Sequence, residues 1–399
     1  MEKLNNNSIK KKISFVTDNF YPCIGGIEKW VNSLSLLLSR YFDIKIISIK
    51  KNLFINQTNI NSFSNGLNNL YEGIYNNVCI IKPSFTGNLF LSAFFIWHFP
   101  FVRRFAPHFV YDFLYIFFNL AYSNKLEKVI KDSNLVHCFS TGYLAVCVTR
   151  ICKKYKIPLI HSPAVHFGRW GDTSLLLKSY AKADALIAIS SYLKSNLENK
   201  LPNTQSPIYV CPPLLAPKSK PQAPRQEIVK PFILFLGRKE ERKGFFDLIS
   251  AFKNIKSNAT LVIAGLGQSV IELDNRIIDL GTIDDNLKQW LLDNCDIFCL
   301  PSKDETFGIV YLEAMRSGKV VVAFDIPPVN EICLNEITSL LVPVNNISAL
   351  SQALEKLLCN EELRLKLGNN AKRRYEEFYS NDKLVNNVIK IYDKLLIKN

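Results

Sequence analysis

Short apolar runs recur along this chain, separated by stretches in which apolar positions return at helical spacing. In the first half the runs fall at 13–17, 44–49, 78–81, 135–138, 159–161, 185–189 and 208–211, each predicted to be a strand. A second series follows at 232–236, 260–264, 277–280, 297–300 and 320–323. Between the later runs the pattern predicts helices over 244–255, 284–294 and 307–317, and the chain closes with helical segments at 349–358, 361–378 and 383–396. Strands alternating with helices argue for an α/β fold built on parallel sheets.

The two series are divided by a breaker. Pro212 and Pro213 lead into a stretch from 217 to 231 that holds four prolines, which cannot be regular structure and reads as an interdomain linker. At 399 residues the chain is also too long for one ordinary core. The expected organisation is an N-terminal domain over 1–215, a C-terminal domain over 216–382, and a last helix, 383–399, that returns to the first domain. Residues 52–77, rich in Asn and Ser, read as a long loop.

Charge adds a difference between the halves. Up to Leu215 there are 24 Lys and Arg against 11 Asp and Glu, a balance of +13, while the remainder has 25 against 24, or +1. A basic first domain predicts an anionic partner such as a phospholipid surface or a lipid pyrophosphate. The same domain carries an uncharged stretch from 83 to 102, followed by Arg103 and Arg104 and then by an aromatic run from 109 to 118. The prolines, glycine, serines and histidine within that stretch suit an interface better than a bilayer-spanning helix. No nucleic-acid-binding motif accompanies the positive charge, so a nucleic acid is not the expected partner.

Ten cysteines are present without a CxxC pair, and most lie in apolar runs such as 297–300. That is buried free-thiol usage, neither a disulfide framework nor a zinc site, and with no signal-peptide pattern in the first residues it predicts a cytoplasmic protein, possibly peripheral at the inner face of a membrane.

Candidate chemistry concentrates in the segment from Pro301 to Gly318, which reads PSKDETFGIVYLEAMRSG. A buried strand ends at Leu300, a polar turn follows, and a helix begins near Phe307 and Gly308. Open α/β sheets bind ligands at the carboxyl ends of their strands. Gly308 lets a ligand approach the backbone, and the exposed N–H groups of a helix start favour phosphate. Glu305 and Glu313, on either side of that start, are placed to accept hydrogen bonds from hydroxyls.

This segment resembles the signature of the family 4 retaining glycosyltransferases of the GT-B fold, also called glycosyl transferases group 1: two glutamates eight positions apart, Phe-Gly between them, and Glu-Ala-Met before a glycine. Gly237 and Arg238, then Lys243 and Gly244, resemble that family's diphosphate-binding pair. Gly265 and Gly267, the Leu280–Gly281 step and the Pro301–Ser302 turn follow in the family's order, and Gly25-Gly26-Ile27-Glu28 resembles its N-terminal glycine loop. The resemblance implies two Rossmann-like domains facing across a cleft. It further implies that Glu313 holds the ribose hydroxyls of a nucleotide sugar, that Glu305 binds the transferred sugar, and that Arg238 and Lys243 neutralise the diphosphate leaving group without a bound metal or other cofactor. Phe307, Gly308 and Ile309 would present backbone N–H groups to the same phosphates, with Gly237 beside them, and Gly25 and Gly26 would close over the donor.

The acceptor is expected near His166, Trp170 and Asp172, in a loop that resembles the His-Pro-Gly-x-Trp-Gly-Asp loop of one branch of the family, with Phe167 in the proline's place. His166 would position or deprotonate an acceptor hydroxyl. His137 stands where the family often has His-x-His, but the second histidine is Phe139 here. The expected reaction is transfer of a hexose-type sugar from a nucleoside diphosphate sugar to a saccharide or lipid-linked acceptor. An inverting GT-B transferase or an epimerase would keep the fold and lose the paired glutamates. A dinucleotide dehydrogenase is disfavoured because Gly265 and Gly267 are not followed by the third glycine of that fingerprint.

Overall fold

The computed structural model describes residues 10–20, 25–49, 78–81, 108–168, 171–267 and 274–397, with 108–114 as backbone only. The chain divides into two compact units. One is Met1–Ile189, Leu193–Ala216 and Leu384–Asn399; the other is Pro217–Lys383 with Ser190–Tyr192.

The first unit is built on a parallel seven-stranded sheet of order β3-β2-β1-β4-β5-β6-β7, with β1 Lys12–Thr17, β2 Asp43–Ser48, β3 Val78–Ile80, β4 Leu135–Cys138, β5 Leu159–His161, β6 Ala185–Ala188 and β7 Ile208–Val210. Helix α1, Gly26–Leu38, is amphipathic and buries Trp30, Val31, Leu34 and Leu38. The Trp30 ring meets Phe139 edge-on at 5.1 Å, and Phe139 packs in turn against Phe15 of β1. Burial of such aromatic faces contributes about 2–3 kcal/mol each.

Helix α2, His108–Ile130, absorbs the aromatic run predicted to face an interface. Phe118 stacks on Tyr122 at 4.7 Å and lies 5.8 Å from Tyr143 of α3, Tyr143–Tyr155, so this end of the run is packed inward. Ile116 and Leu120, one turn apart on α2, are more than half exposed. The rest of the proposed interface, from Pro83 to Pro107, lies outside the described residues, as does the loop at 52–77. Among the described residues no helix is long and apolar enough to cross a membrane. Helices α4, Ser174–Tyr180, and α5, Ser191–Lys200, follow the next two strands.

No regular structure occurs from 211 to 231. The second unit then forms a parallel six-stranded sheet of order β10-β9-β8-β11-β12-β13. Its strands are β8 Phe232–Leu236, β9 Thr260–Ala264, β10 Ile277–Asp279, β11 Ile297–Cys299, β12 Val320–Phe324 and β13 Ser339–Val342. All five residues of β8, β9 and β12 are buried, as expected for strands covered on both faces. Strand β13 escapes the sequence pattern because it is a short edge strand opening on Ser339. The helices are α6 Phe245–Lys253, α7 Asp285–Asn294, α8 Ile309–Arg316, α9 Val329–Ile332, α10 Ile347–Leu358 and α11 Glu361–Arg374, the last continued by a π turn at Tyr375–Tyr379. Helix α12, Asn381–Leu396, buries Leu384, Val385, Val388, Ile391, Tyr392 and Leu395. Its Tyr392 hydroxyl is 2.6 Å from Nδ1 of His137 on β4.

Seven of the described cysteines are buried; Cys79 is half-buried and Cys359 exposed, and all nine are free thiols.

Candidate functional site

Topology selects the place. In the second unit the chain runs outward from β8 through β9 to β10, then returns to β11 on the other side of β8 and runs outward again to β13. Loops leaving the carboxyl ends of β8 and β11 therefore part in opposite directions, and a crevice at such a switch point is where open α/β sheets take ligands. The exit of β8 is Gly237–Gly244 and the exit of β11 is Pro301–Gly308. These are the two segments the sequence singled out.

The two exits are joined at the backbone. Gly244 has φ +64, and a Cβ there would stand 1.8 Å from the Pro301 carbonyl oxygen, so only glycine fits both the conformation and the space. The Lys303 amide donates to the Arg242 carbonyl at 2.9 Å. The Lys303 ammonium bridges to Asp247 at 2.8 Å and also meets Glu241.

Across this seam the Lys243 ammonium donates to Glu305 Oε1 at 2.6 Å, and the Ser302 hydroxyl donates to the same oxygen at 2.9 Å. The Lys243 and Glu305 side chains are only 17% and 9% exposed. Both bonds end on Oε1, which leaves the second carboxylate oxygen for a hydroxyl. Arg238 is different: its guanidinium is half-exposed and pairs with Glu240 at 3.0 Å, while Arg242 takes the other oxygen of Glu240.

Beyond Glu305 the chain turns into α8. Gly308, at φ +90, precedes the helix and supplies no side-chain cap, so the first N–H groups of α8, including that of Ile309, have no capping oxygen from this residue. Phe307 is buried beneath the turn, and Tyr311 donates its hydroxyl to the Leu300 carbonyl at 2.8 Å, pinning the helix start to the end of β11. Burial holds the Tyr311 phenol well above its ordinary pKa, so it remains a donor. A helix start that follows directly on the Lys243–Glu305 contact is an arrangement suited to binding phosphate.

Glu313 lies further along α8 and is almost wholly buried, its Oε1 accepting from Lys288 of α7 at 2.9 Å. Lys288 also reaches Asp285 at 2.9 Å. Burial pulls the Lys288 ammonium down, the two carboxylates push it up, and the net direction is up, so it stays charged. Sequence reading places Ser302 in the family turn but assigns no role to it, to Lys303 in the same turn or to Lys288 on a polar helix, since none of these carries a periodic signal.

In the first unit the corresponding switch lies between β1 and β4. Gly25 is the extended N-terminal cap of α1, at φ −147, and Gly26 is its first residue; residues 21–24 before them lie outside the described residues. His166 sits half-buried in the loop leaving β5, and Asp172 closes that loop by accepting the Gly168 amide at 2.6 Å. Trp170 lies outside the described residues. His137 is a core residue: it is fully buried, its ring is stacked 4.0 Å from Phe139, and Nε2 is 2.6 Å from the Ser162 hydroxyl.

Two family models divide the chain along these lines. "Glycosyl transferases group 1" matches residues 219–374 and "Glycosyltransferase Family 4" matches 77–217. The chain belongs to the family 4 glycosyltransferases. It is therefore a transferase with two Rossmann-like domains of the GT-B type. Glycosyltransferase MJ1178 of Methanocaldococcus jannaschii is 28% identical over 68% of this chain and 79% of its own length. The phosphatidyl-myo-inositol mannosyltransferase of Mycobacterium leprae is 35% identical over 36% of this chain, and the shared stretch takes in 42% of that protein. Among solved structures, a glycosyltransferase of Rickettsia africae superposes with a TM-score of 0.70 at 18% identity over 97% of this chain and 99% of its own. HepE of Anabaena in complex with UDP gives 0.71 at 15% identity over 96% and 100%. At these identities the superpositions speak for the fold.

Proposed function

We propose that this transferase moves a hexose-type sugar from a nucleoside diphosphate sugar to a saccharide or lipid-linked acceptor, with retention of anomeric configuration and without a metal. The observation that carries the donor half is the seam between the exits of β8 and β11, where Lys243 pairs with Glu305 at the switch point bordered by Arg238 and the start of α8. Lys243 and Arg238 would take the charge that grows on the departing diphosphate, each contributing roughly 1.5–3 kcal/mol. Glu305 would hold a sugar hydroxyl on its second oxygen, and Glu313 the ribose. Gly237 and Phe307 shape the turns, and the acceptor would be bound in the first unit with His166 as the group that positions or deprotonates its hydroxyl. Among the described residues no group of three or more His, Cys, Asp or Glu could hold a metal ion. Relatives support the acceptor class: the M. leprae protein bears a phosphatidyl-myo-inositol in its name, and a Campylobacter jejuni relative, 32% identical over 42% of this chain, a diphospho-undecaprenol.

The basic balance of the N-terminal part, with exposed Ile116 and Leu120 on α2, supports docking on an anionic membrane surface at which such an acceptor resides. Turnover of a nucleotide-sugar panel with membrane lipid extract, read by product mass and by the anomeric coupling of the product, tests the reaction. An inverted product, or activity that EDTA abolishes and manganese restores, defeats the retaining metal-free reading. Salt-sensitive flotation with phosphatidylglycerol vesicles, reduced in Ile116→Ser/Leu120→Ser, is expected for docking; equal behaviour with neutral vesicles removes it.

A further inference from the structure

The run Arg238-Lys239-Glu240-Glu241-Arg242-Lys243 offers four cations to the turn after β8, and the structure sorts them. Arg238, Arg242 and Lys243 keep partly exposed side chains, whereas that of Lys239 is 2% exposed. Its ammonium is 2.6 and 2.8 Å from the two oxygens of Asp279, the last residue of β10, whose side chain is 12% exposed. Such a buried, bidentate pair is not a phosphate ligand in waiting, because its charge is already met. Lys239 nevertheless directly follows Arg238.

Everything around the pair ties neighbouring strand exits together. The Lys239 amide donates to the Leu266 carbonyl at 2.8 Å, so the exit of β8 is bonded to the exit of β9. Gly237 donates to Ala264, and a Cβ at Gly265 would meet the Gly237 carbonyl oxygen at 1.9 Å. Gly267 lies against the lysine stem, where a Cβ would come 2.6 Å from that of Lys239. The Gly265 amide donates to the Gly281 carbonyl at 2.7 Å, and the Gly281 amide to Asp279 Oδ1 at 3.0 Å. Backbone bonds alone link β8 to β9 and β9 to β10. The Lys239–Asp279 pair joins the exit of β8 to the end of β10 directly. Removing it leaves the turn that carries Arg238 held to the exits of β9 and β11 but without its anchor on β10.

We propose that Lys239 and Asp279 are a positioning pair for donor binding: the buried ion pair fixes the backbone of the Gly237–Lys243 turn, and through it the reach of Arg238 and Lys243 to the donor diphosphate. The inference rests on the donor reading of this site. A single truncation leaves one buried charge without its partner. The informative variants are therefore Lys239→Met/Asp279→Leu and Lys239→Gln/Asp279→Asn, each of which removes both charges, the second keeping the shape of the pair. Misplacing a binding group by a fraction of an ångström is costly, so the donor KM and the Kd for UDP or GDP are expected to rise about tenfold in both variants. The acceptor KM should stay within about threefold, while kcat falls together with donor affinity because Arg238 and Lys243 meet the charge of the departing diphosphate. A pair that served only stability would instead lower the melting temperature and the active fraction, leaving both KM values and the diphosphate Kd unchanged, and that outcome overturns the inference. If the wild-type chain binds none of UDP, GDP and ADP, the donor reading itself fails and takes the pair's role with it. Wild-type binding that the variants reproduce unchanged removes only the positioning role.

Discussion

Lys243 and Glu305, 62 positions apart, share a hydrogen bond of 2.6 Å in which the lysine proposed for the diphosphate holds the carboxylate proposed for the sugar. The pair makes the two halves of the donor interdependent. When a diphosphate draws on the ammonium, the carboxylate it steadies is also affected, and Ser302 remains as the second donor to the same oxygen. Lys243→Ala and Glu305→Ala are therefore expected to combine non-additively. Each alone should cost on the order of a hundredfold in kcat/KM, and the double variant should retain roughly 1–2 kcal/mol more transition-state stabilisation than the sum of the singles allows. A double-mutant cycle on turnover checks this, and simple additivity would mean the contact is incidental.

Arg238 provides the contrast. Its side chain is half-exposed and its pair with Glu240 lies at the surface, where such pairs contribute little to stability. Arg238→Ala should leave the melting temperature within about 1 °C or 2 °C and lower turnover on the order of a hundredfold, the equivalent of about 3 kcal/mol. Retention of near wild-type turnover assigns Arg238 to a solvated turn.

How far the sequence reaches is visible in these two residues. The strand runs are legible because β8, β9 and β12 are buried throughout, and the turns are legible because Gly244 and Gly308 must occupy left-handed conformations. What local patterning does not carry is which cation is spent inside the fold. Arg238 and Lys239 are adjacent and equally basic on paper, yet one faces solvent and the other is closed on Asp279, forty positions away. His137 is a similar case. Its place in the chain resembles the first position of the family's His-x-His pair, and its burial between Tyr392 and Ser162 depends on a helix 255 positions later. Strand β13 was missed because it opens on a serine at a sheet edge.

Glu313 should act chiefly on nucleotide binding. It is held by Lys288 and sits within α8, away from the seam at Glu305. Glu313→Gln keeps the shape of the side chain and removes a charge-assisted acceptor, a loss of roughly 1.5–3 kcal/mol if the ribose bonds form there. The expected observation is a smaller melting-temperature shift on adding UDP or GDP, with a residual affinity for inorganic pyrophosphate equal to wild type. An unchanged shift would remove Glu313 from the nucleotide site.

The glycine contact between the two exits predicts a ranking. Gly244→Ala combines a left-handed backbone with a Cβ 1.8 Å from a carbonyl oxygen, and should destabilise the second unit by about 2–4 kcal/mol. Gly281 also has a left-handed backbone, at φ +62, but nothing stands within 4 Å of an added Cβ. Gly281→Ala should therefore cost only the conformational part, about 1–2 kcal/mol. Chemical unfolding of the two variants checks the order, and a reversal would mean that the Gly244–Pro301 approach relaxes without cost.

The core of the first unit should be acid-labile for a specific reason. His137 and His161 are both fully buried in the sheet. Burial, aided by the charge His161 would carry, holds His137 well below its ordinary pKa, and burial brings His161 down to about 3. His161 Nε2 is engaged by Thr149 at 2.7 Å, and its Nδ1 has no hydrogen-bond partner, so a proton added there has nothing to bond. In the unfolded chain both imidazoles protonate near 6.5. The unfolded state thus binds more protons between about pH 6.5 and pH 3, and stability falls as pH falls through that window. From pH 7.5 to pH 5 the loss should be roughly 2 kcal/mol per histidine. Carboxylates titrate mostly below that range, so the two histidines dominate it. Urea unfolding at pH 7.5, 6 and 5, followed by amide exchange in β4 and β5, should show this decline, and His137→Gln/His161→Gln should flatten it even though the variant is less stable at pH 7.5. A decline of the same size in the variant would place the acid sensitivity elsewhere in the chain.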